Sequence, residues 1–283
     1  MSRTVYVNGE YLPEENAKIS IFDRGFLMAD GVYEVTSILE GKMIDFKGHM
    51  ARLARSLKEL DLDAPVTEPE MEEIHRELIR ANDLNEGLVY VQVTRGAADR
   101  SFIFPVGVKS SLVLFSQKTK LIETVESSNG IKIISIPDIR WGRRDIKTVQ
   151  LLAPSMGKMA AKAAGADDAW LVEDGLVTEG TSNNAYIVKG GKIITRDLSH
   201  AILHGITRAA VLRFAREAQM DVEERAFTIA EAVQADEAFI TSASTFVCPV
   251  VEIDGQKLGN GMPGPVAKRL REIYLEESRK NAS

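Results

Sequence analysis

The sequence contains very little cysteine and histidine, and this shortage narrows the kinds of site it can hold. Cys248 is the single cysteine in 283 residues, so a disulfide within the chain is excluded and a cytoplasmic location is expected. Only four histidines are present, and no Cys-x-x-Cys pair accompanies them. A zinc site of the usual kind is therefore not expected, and we predict no bound metal ion.

Long apolar runs and an excess of positive charge are also missing. No stretch approaches the roughly 20 apolar residues that cross a membrane, and MSRTVYVNGEYL lacks the apolar core of a secretory signal. The formal net charge of −6 argues against nucleic acid as a partner. We therefore expect neither a membrane nor a nucleic acid to bind. A chain of 283 residues with 45% apolar and 27% charged residues is typical of a globular protein with two domains.

Hydrophobic periodicity predicts an α+β chain. TVYVNGEYL alternates around Asn8-Gly9, which predicts a two-residue hairpin, and the apolar residues of FKGHMARLARSLKELDL fall on one helical face. Periodicity weakens after residue 117, so we predict a small N-terminal domain at 1–117, a linker at 118–122 and a larger domain at 123–283. Further strands are predicted at 31–39, 40–46, 87–96, 110–117, 131–136, 168–174, 184–194 and 237–242, and further helices at 68–83, 153–165, 206–220 and 265–278.

The first candidate for chemistry is Lys147, in the stretch RWGRRDIKTVQLL. Three arginines precede it and apolar residues flank it. Neighbouring cations and partial burial both disfavour the ammonium form of a lysine, and the neutral amine is the group that condenses with a carbonyl. The alternative from this segment alone is a surface loop with solvated basic residues.

Two further stretches suggest an anion site. In GLVTEGTSNNAYIV, Glu179 is followed by small polar residues whose turn exposes backbone N–H groups; an ordinary polar turn is the alternative. In LHGITRAAVLRFARE, Gly205 allows a tight turn and Thr207 begins an amphipathic helix. The start of that helix could bind a phosphate; the alternative is that Thr207 is an ordinary N-cap. No Walker or dinucleotide glycine pattern is present, so a nucleotide is not indicated.

Together these pieces match one ligand. A reactive amine can condense with an aldehyde, a helix start can bind a phosphate, and a carboxylate can hold a protonated ring nitrogen. Pyridoxal 5'-phosphate (PLP) presents all three groups, and its chemistry depends on that protonated ring.

The sequence resembles the class IV aminotransferases, the fold-type IV PLP enzymes, and within them the D-amino acid transaminases. The resemblance covers nearly the whole chain through seven motifs in family order: DRGFLMADGVYEV, HMARL, VTRGAADRSFIFP, DIRWGRRDIK, VTEGTSNN, GITR and FITSAS. It implies a two-domain α+β fold with a small N-terminal and a larger C-terminal α/β domain. It also implies transamination between a D-amino acid, such as D-alanine, and a 2-oxo acid, such as 2-oxoglutarate or pyruvate.

The resemblance also implies roles for individual residues. Lys147 matches the lysine that forms the Schiff base with PLP and then carries the substrate proton, and Glu179 matches the carboxylate facing the ring nitrogen. Arg52, which looks like a solvated helix residue, matches a phosphate-binding arginine, and Tyr33 matches a tyrosine on the substrate side. The remaining cofactor contacts implied are Ser182, Asn183, Leu203, Gly205, Ile206, Thr207, Ser242 and Ala243.

The substrate side departs from the family pattern at one residue. D-amino acid transaminases hold the substrate carboxylate with an Arg-x-His pair, and this chain has Arg100-Ser101-Phe102. Arg100 keeps a carboxylate clamp possible, whereas Phe102 removes a donor and adds apolar surface. An (R)-selective amine transaminase, a branched-chain transaminase, a 4-amino-4-deoxychorismate lyase and a non-catalytic PLP-binding protein therefore stay open. The family's site is shared across a homodimer, which is the partner expected here.

Overall fold

The computed structural model describes residues 2–283, and the chain separates into two compact units. The first unit comprises the residues up to Lys120 together with Ile146–Gln150 and Asn281–Ser283, and the second comprises Leu121–Asp145 and Leu151–Lys280. Two short segments thus rejoin the first unit after the chain has left it. The domain boundaries predicted from the sequence, with a linker at 118–122, stay a prediction.

The first unit is built on a six-stranded antiparallel sheet with the strand order β2-β1-β6-β5-β3-β4. β3 and β5 pair over nine residues each, and every second residue of β5 is buried, as expected when one face of a sheet lies on a core. In chain order the elements are β1 Thr4–Val7, β2 Glu10–Pro13, α1 Arg24–Met28, β3 Gly31–Leu39, β4 Lys42–Met43, α2 Phe46–Glu59, α3 Glu68–Ala81, β5 Glu86–Thr94 and β6 Ser111–Lys118.

The helices of the first unit bury one apolar stripe each. α2 contributes Met50, Leu53 and Leu57 to the core. α3 begins with a capping box, in which Thr67 and Glu70 satisfy each other's backbone N–H groups. These features confirm the helices predicted from the sequence at both places.

The second unit contains a nine-stranded mixed sheet, ordered β12-β11-β10-β13-β14-β7-β8-β9, with β15 paired to β14. Strand pairs β14–β7, β7–β8 and β11–β12 are parallel. Its elements are α4 Val125–Asn129, β7 Ile131–Pro137, α5 Leu152–Ala163, β8 Asp168–Glu173, β9 Leu176–Gly180, β10 Asn184–Lys189, β11 Lys192–Thr195, α6 Ile206–Glu217, β12 Val222–Glu224, α7 Ile229–Ala232, β13 Glu237–Ser242, β14 Phe246–Ile253, β15 Gln256–Lys257 and α8 Pro265–Lys280.

The hairpin turn predicted at Asn8-Gly9 is confirmed, whereas one central strand was not predicted. Asn8-Gly9 adopts the left-handed conformation that a tight hairpin requires. β14 was missed, and it contains Pro249, a residue that argues against a central strand because it cannot donate to a ladder. Pro249 pairs with Phe239 of β13, and pairing with β7 begins only at Val250. The missing N–H is therefore not needed on the β7 side.

Candidate active site

In the first unit, the segment that carries Lys147 is held against the start of β3. The Tyr33 N–H donates to the Lys147 carbonyl at 2.9 Å, and the Val149 N–H donates to the Gly31 carbonyl at 3.1 Å. The Lys147 N–H donates to Ser56 Oγ on α2 at 3.4 Å. Backbone bonds to β3 and a contact with α2 thus fix the lysine's position while leaving its side chain out of the ladder.

The amine of Lys147 faces an aromatic ring and has no acid beside it. Nζ lies 4.1 Å from the centroid of the Tyr33 ring, and Tyr33 is stacked on Tyr90 at a centroid distance of 5.5 Å. Among residues 2–283, no carboxylate forms an ion pair with Nζ. The side chain is only partly buried. The contacts of Nζ are therefore with an aromatic face and not with a carboxylate.

The arginines that precede Lys147 do not act as free cations. The sequence-based argument that their charges disfavour the ammonium form of Lys147 is therefore wrong. Each is neutralised within the second unit: Arg143 by Asp145, Arg144 by Glu173, and Arg140 by Asp138 and Glu179. Asp138 and Asp145 lie two residues from their arginines, whereas Glu173 and Glu179 lie 29 and 39 residues away along the chain.

Arg52 is not the solvated helix residue that its sequence context suggested. Its side chain is 7% exposed and donates two hydrogen bonds to Glu34, from Nε to Oε1 at 2.7 Å and from Nη2 to Oε2 at 2.8 Å. His49 Nδ1 lies 2.8 Å from Glu34 Oε2. Burial alone would raise the pKa of Glu34, but Arg52 and His49 together hold that pKa well below its ordinary value.

In the second unit, Glu179 lies at the end of β9 as a fully buried carboxylate with three kinds of donor. Arg140 Nη1 donates to it at 2.6 Å, Asn184 Nδ2 at 3.0 Å, and the Leu203 N–H at 3.0 and 3.2 Å to its two oxygens. Burial raises the pKa of Glu179 above its ordinary value, and the contact with Arg140 opposes that increase. These donors fix the position of the Glu179 carboxylate, and its raised pKa means that it accepts a hydrogen bond from a further donor readily.

Asn184 connects Glu179 to the start of α6. Its Nδ2 also donates to the Leu203 carbonyl at 3.0 Å, and a Cβ added to Gly205 would lie 2.1 Å from its Oδ1. Gly205, not Thr207, is the N-cap of α6, and no side chain caps the helix. The sequence-based interpretation of Thr207 as an ordinary cap is therefore wrong. The first helical bond runs from Ala209 N–H to the Gly205 carbonyl, so the three preceding N–H groups are left for an anion.

The remaining cofactor candidates lie in two turns of the second unit. Asn183 is buried and donates to Asp168 Oδ2 at 2.7 Å, so its amide group serves the β9–β10 turn. Ser182, beside it, is exposed. Ser242 Oγ accepts from the Thr245 N–H at 3.1 Å and closes the turn after β13, where Ala243 also lies.

The loop that carries Arg100 is exposed and apolar. Phe102 and Ile103 are 80% and 81% exposed, and the Arg100 guanidinium lies 5.4 Å from the Phe102 ring centroid. Neighbouring apolar side chains with this much exposure are typical of surfaces that another molecule covers.

Two other kinds of feature are absent from residues 2–283. No group of three or more His, Cys, Asp or Glu side chains there is arranged to hold a metal ion. No helix in that range is both long enough and apolar enough to cross a membrane.

Comparison with known proteins identifies the family. A model of the amino-transferase class IV family matches residues 31–253, so the chain belongs to the class IV aminotransferases. This membership confirms the expected fold-type IV architecture, an aminotransferase activity and PLP as the cofactor.

Particular relatives give more detail. A D-alanine aminotransferase of Bacillus licheniformis is 40% identical over 267 residues, which is 94% of this chain and 94% of that protein. The branched-chain amino acid aminotransferase of the archaeon Thermoproteus uzoniensis with norvaline has a TM-score of 0.85 and 28% identity, covering 98% of this chain and 94% of that one. The Escherichia coli branched-chain amino acid aminotransferase, with a TM-score of 0.90 and 22% identity over 98% and 95%, supports the fold alone.

Three residues of these clusters were not found from the sequence. Glu34 and Asn184 carried no signal beyond their place in the GVYEV and TSNN motifs, and Arg140 was interpreted only as a member of a charge run. Each acts through a partner that lies 5 to 39 residues away.

Proposed function

We propose that this class IV aminotransferase exchanges the amino group of a D-amino acid, such as D-alanine, with a 2-oxo acid, such as 2-oxoglutarate or pyruvate. The observation that carries the reaction type is the Lys147 amine, held on the Tyr33 ring without a carboxylate partner. The choice of D-alanine is supported by the 40% identity to a D-alanine aminotransferase over 94% of both chains.

The residues present fit PLP. The start of α6 offers N–H groups without a side-chain cap, and Glu179 is a preorganised carboxylate that a protonated ring nitrogen would approach as a further donor. PLP supplies an electron sink for the charge left at the substrate Cα. We assign the phosphate to Arg52, Gly205, Ile206 and Thr207.

The chain's own groups then have separate tasks. Lys147 would hold the cofactor through its side-chain amine and, as a free amine, would carry the Cα proton. Glu179 favours the protonated ring nitrogen because an opposite charge stabilises the charged form. Leu203 packs against the ring, and Ser182, Asn183, Ser242 and Ala243 line it. Nδ2 of Asn183 is committed to Asp168, so its contact would be made by its backbone or by Oδ1.

On the substrate side, we assign Tyr33, Arg100 and Phe102. Arg100 binds the carboxylate of the amino donor through a charge-assisted contact. The apolar side chain of Phe102 accommodates apolar substituents of the substrate. The exposure of Phe102 and Ile103 supports a homodimer in which this loop enters the partner's site. We place the enzyme in the cytoplasm.

A branched-chain activity is the second candidate, favoured by the TM-score of 0.85 to the Thermoproteus uzoniensis enzyme. A donor panel separates the candidates: D-alanine, D-glutamate, L-leucine and (R)-1-phenylethylamine, each with pyruvate and with 2-oxoglutarate. Preference for L-leucine or for the amine would replace D-alanine in the proposal. Release of pyruvate and 4-aminobenzoate from 4-amino-4-deoxychorismate without an acceptor would indicate a lyase.

The catalytic assignment is tested by Lys147→Ala, with Lys162→Ala as the matched control because Lys162 is exposed on α5. Lys147→Ala is expected to lower turnover with D-alanine and 2-oxoglutarate by at least about 10³-fold, since it removes both anchor and proton carrier. Lys162→Ala should keep full turnover. Borohydride reduction followed by peptide mapping locates the amine joined to PLP, and a label on any other lysine contradicts the assignment.

A further inference from the structure

Arg24, a buried residue at the start of α1, contacts the backbone of the loop that carries Arg100. Its side chain is 2% exposed. Nε donates to Asp30 Oδ2 at 2.7 Å, and Nη1 donates to the Ser101 carbonyl at 2.6 Å. Ser101 lies between Arg100 and Phe102. The guanidinium therefore holds the peptide that joins the two residues assigned to the substrate.

A second arginine shares the carboxylate but not the loop. Arg95 Nε donates to Asp30 Oδ2 at 2.8 Å, and its other two nitrogens donate to the carbonyls of Leu60 and Asp61 at 2.7 and 2.9 Å. Arg95 thus joins Asp30 to the end of α2. Both guanidiniums use Asp30, and of the two only Arg24 has a hydrogen bond to the loop.

Phe104 adds a second attachment of the loop to the same two cations. Its ring centroid lies 3.7 Å from the Arg95 guanidinium carbon and 5.7 Å from that of Arg24. α1 itself is fixed, since Asp23 accepts from the Gly25 N–H at 2.8 Å and from Thr94 Oγ1 at 2.8 Å. An otherwise exposed loop is therefore tied at Ser101 and Phe104 to a rigid, buried base.

We infer that Arg24 is a positioning residue for substrate recognition: it sets the place of Arg100 by holding the Ser101 carbonyl. The inference rests on the proposed function, in which Arg100 binds the donor carboxylate. A guanidinium presents several donors in a fixed fork, so it can bond Asp30 and Ser101 at once, which the compact ammonium of a lysine does not reproduce. Loss of the bond frees Arg100 to move, and the carboxylate is then bound less tightly.

The test compares Arg24→Lys with Arg95→Lys in the holoenzyme. Both substitutions keep the positive charge and replace a guanidinium that bonds Asp30. Only Arg24→Lys also removes the hydrogen bond to the loop. Arg24→Lys is expected to raise the KM for D-alanine about tenfold, as loss of one hydrogen bond to a charged group implies, with kcat within about twofold of the wild type. Arg95→Lys should leave KM within about twofold, because the lysine keeps a cation beside the Phe104 ring and the bond from Arg24 to Ser101 is untouched.

Hydrogen exchange of the peptides covering residues 99–106 supplies a second readout, since it should quicken in Arg24→Lys and stay unchanged in Arg95→Lys. Should Arg24→Lys fail to fold, Phe104→Leu removes the ring at an exposed position, and a KM rise of about threefold is expected from the lost cation–π contact. Equal KM values for the two lysine variants, or an unchanged KM in Phe104→Leu, would overturn the inference. A wild-type enzyme inactive with D-alanine would instead overturn the proposed function.

Discussion

Each unit of the molecule contains one buried glutamate bonded to an arginine, and the two pairs differ in how the arginine distributes its hydrogen bonds. In the first unit, Arg52 gives two fork hydrogen bonds to Glu34. In the second, Arg140 gives one to Glu179 and two to Asp138. We call Arg52–Glu34 the closed pair, because both of these bonds go to one carboxylate, and Arg140–Glu179 the shared pair, because Arg140 also bonds Asp138.

The two carboxylates respond to this difference in opposite directions. The pKa of Glu34 is held below its ordinary value despite burial, by Arg52 and His49. The pKa of Glu179 is raised by burial, which Arg140 opposes without reversing, while Asp138 adds to the increase. A carboxylate with a depressed pKa is a structural anion, whereas one with a raised pKa still attracts a proton donor such as a pyridinium nitrogen.

The largest expected effect comes from removing the charge of the shared pair. Glu179→Gln should lower kcat by about 10²–10³-fold, the range found when one preorganised electrostatic group is lost. PLP should still attach to Lys147, so the cofactor spectrum of the resting variant separates chemistry from loss of binding. Turnover within tenfold of the wild type would contradict the role of Glu179.

Breaking the closed pair should instead affect stability. In the apoenzyme, Glu34→Gln leaves Arg52 as a buried cation without the Glu34 anion and is expected to lower the free energy of unfolding by about 3–5 kcal/mol at pH 7. Chemical denaturation measures it. Arg76→Gln on α3 removes an exposed ion pair with Glu72 and is the control, with an expected change below about 1 kcal/mol.

The pH dependence of the same variants sharpens the comparison. Since the folded pKa of Glu34 is depressed, its stabilisation is present above the ordinary carboxyl pKa and declines as pH falls below it, by about 2 kcal/mol between pH 7 and pH 3. The deficit of Glu34→Gln should therefore shrink in acid. For Glu179, whose folded pKa is raised, ionisation opposes folding, so apo Glu179→Gln should gain relative stability as pH rises. Identical pH profiles for the two variants would refute the distinction.

The smallest effect is expected from making the shared pair exclusive. The Asp138 carboxylate competes with Glu179 for Arg140, and its charge raises the pKa of Glu179. Asp138→Asn removes that charge. The pKa of Glu179 should then fall, and the acidic limb of the kcat profile should move to lower pH. Glu173→Gln, which removes a more exposed carboxylate of the same network, should leave that limb in place. A shift of equal size in both variants would show that Asp138 has no particular effect on Glu179.

Much of the fold could be predicted from sequence, because hairpin turns and amphipathic helices are encoded by neighbouring residues. Strand β14 could not, since Pro249 is acceptable only where β7 has not yet begun to pair. In the site, motifs singled out Lys147 and Glu179, whose roles in this chain stay proposals. The partners that set their surroundings were not visible: Arg140 and Glu179 are 39 residues apart, and no local pattern joins them.

The return of Ile146–Gln150 to the first unit has a consequence for how this gene can be divided. A fragment ending at Lys120 would encode the sheet of the first unit but not the lysine that pairs with β3. Recombination at a single crossover cannot exchange the first unit alone: before Ile146 it separates Lys147 from Gly31–Tyr33, and after Gln150 it carries Leu121–Asp145 of the second unit along. Neither unit is therefore one uninterrupted stretch of sequence, although each has a sheet of its own.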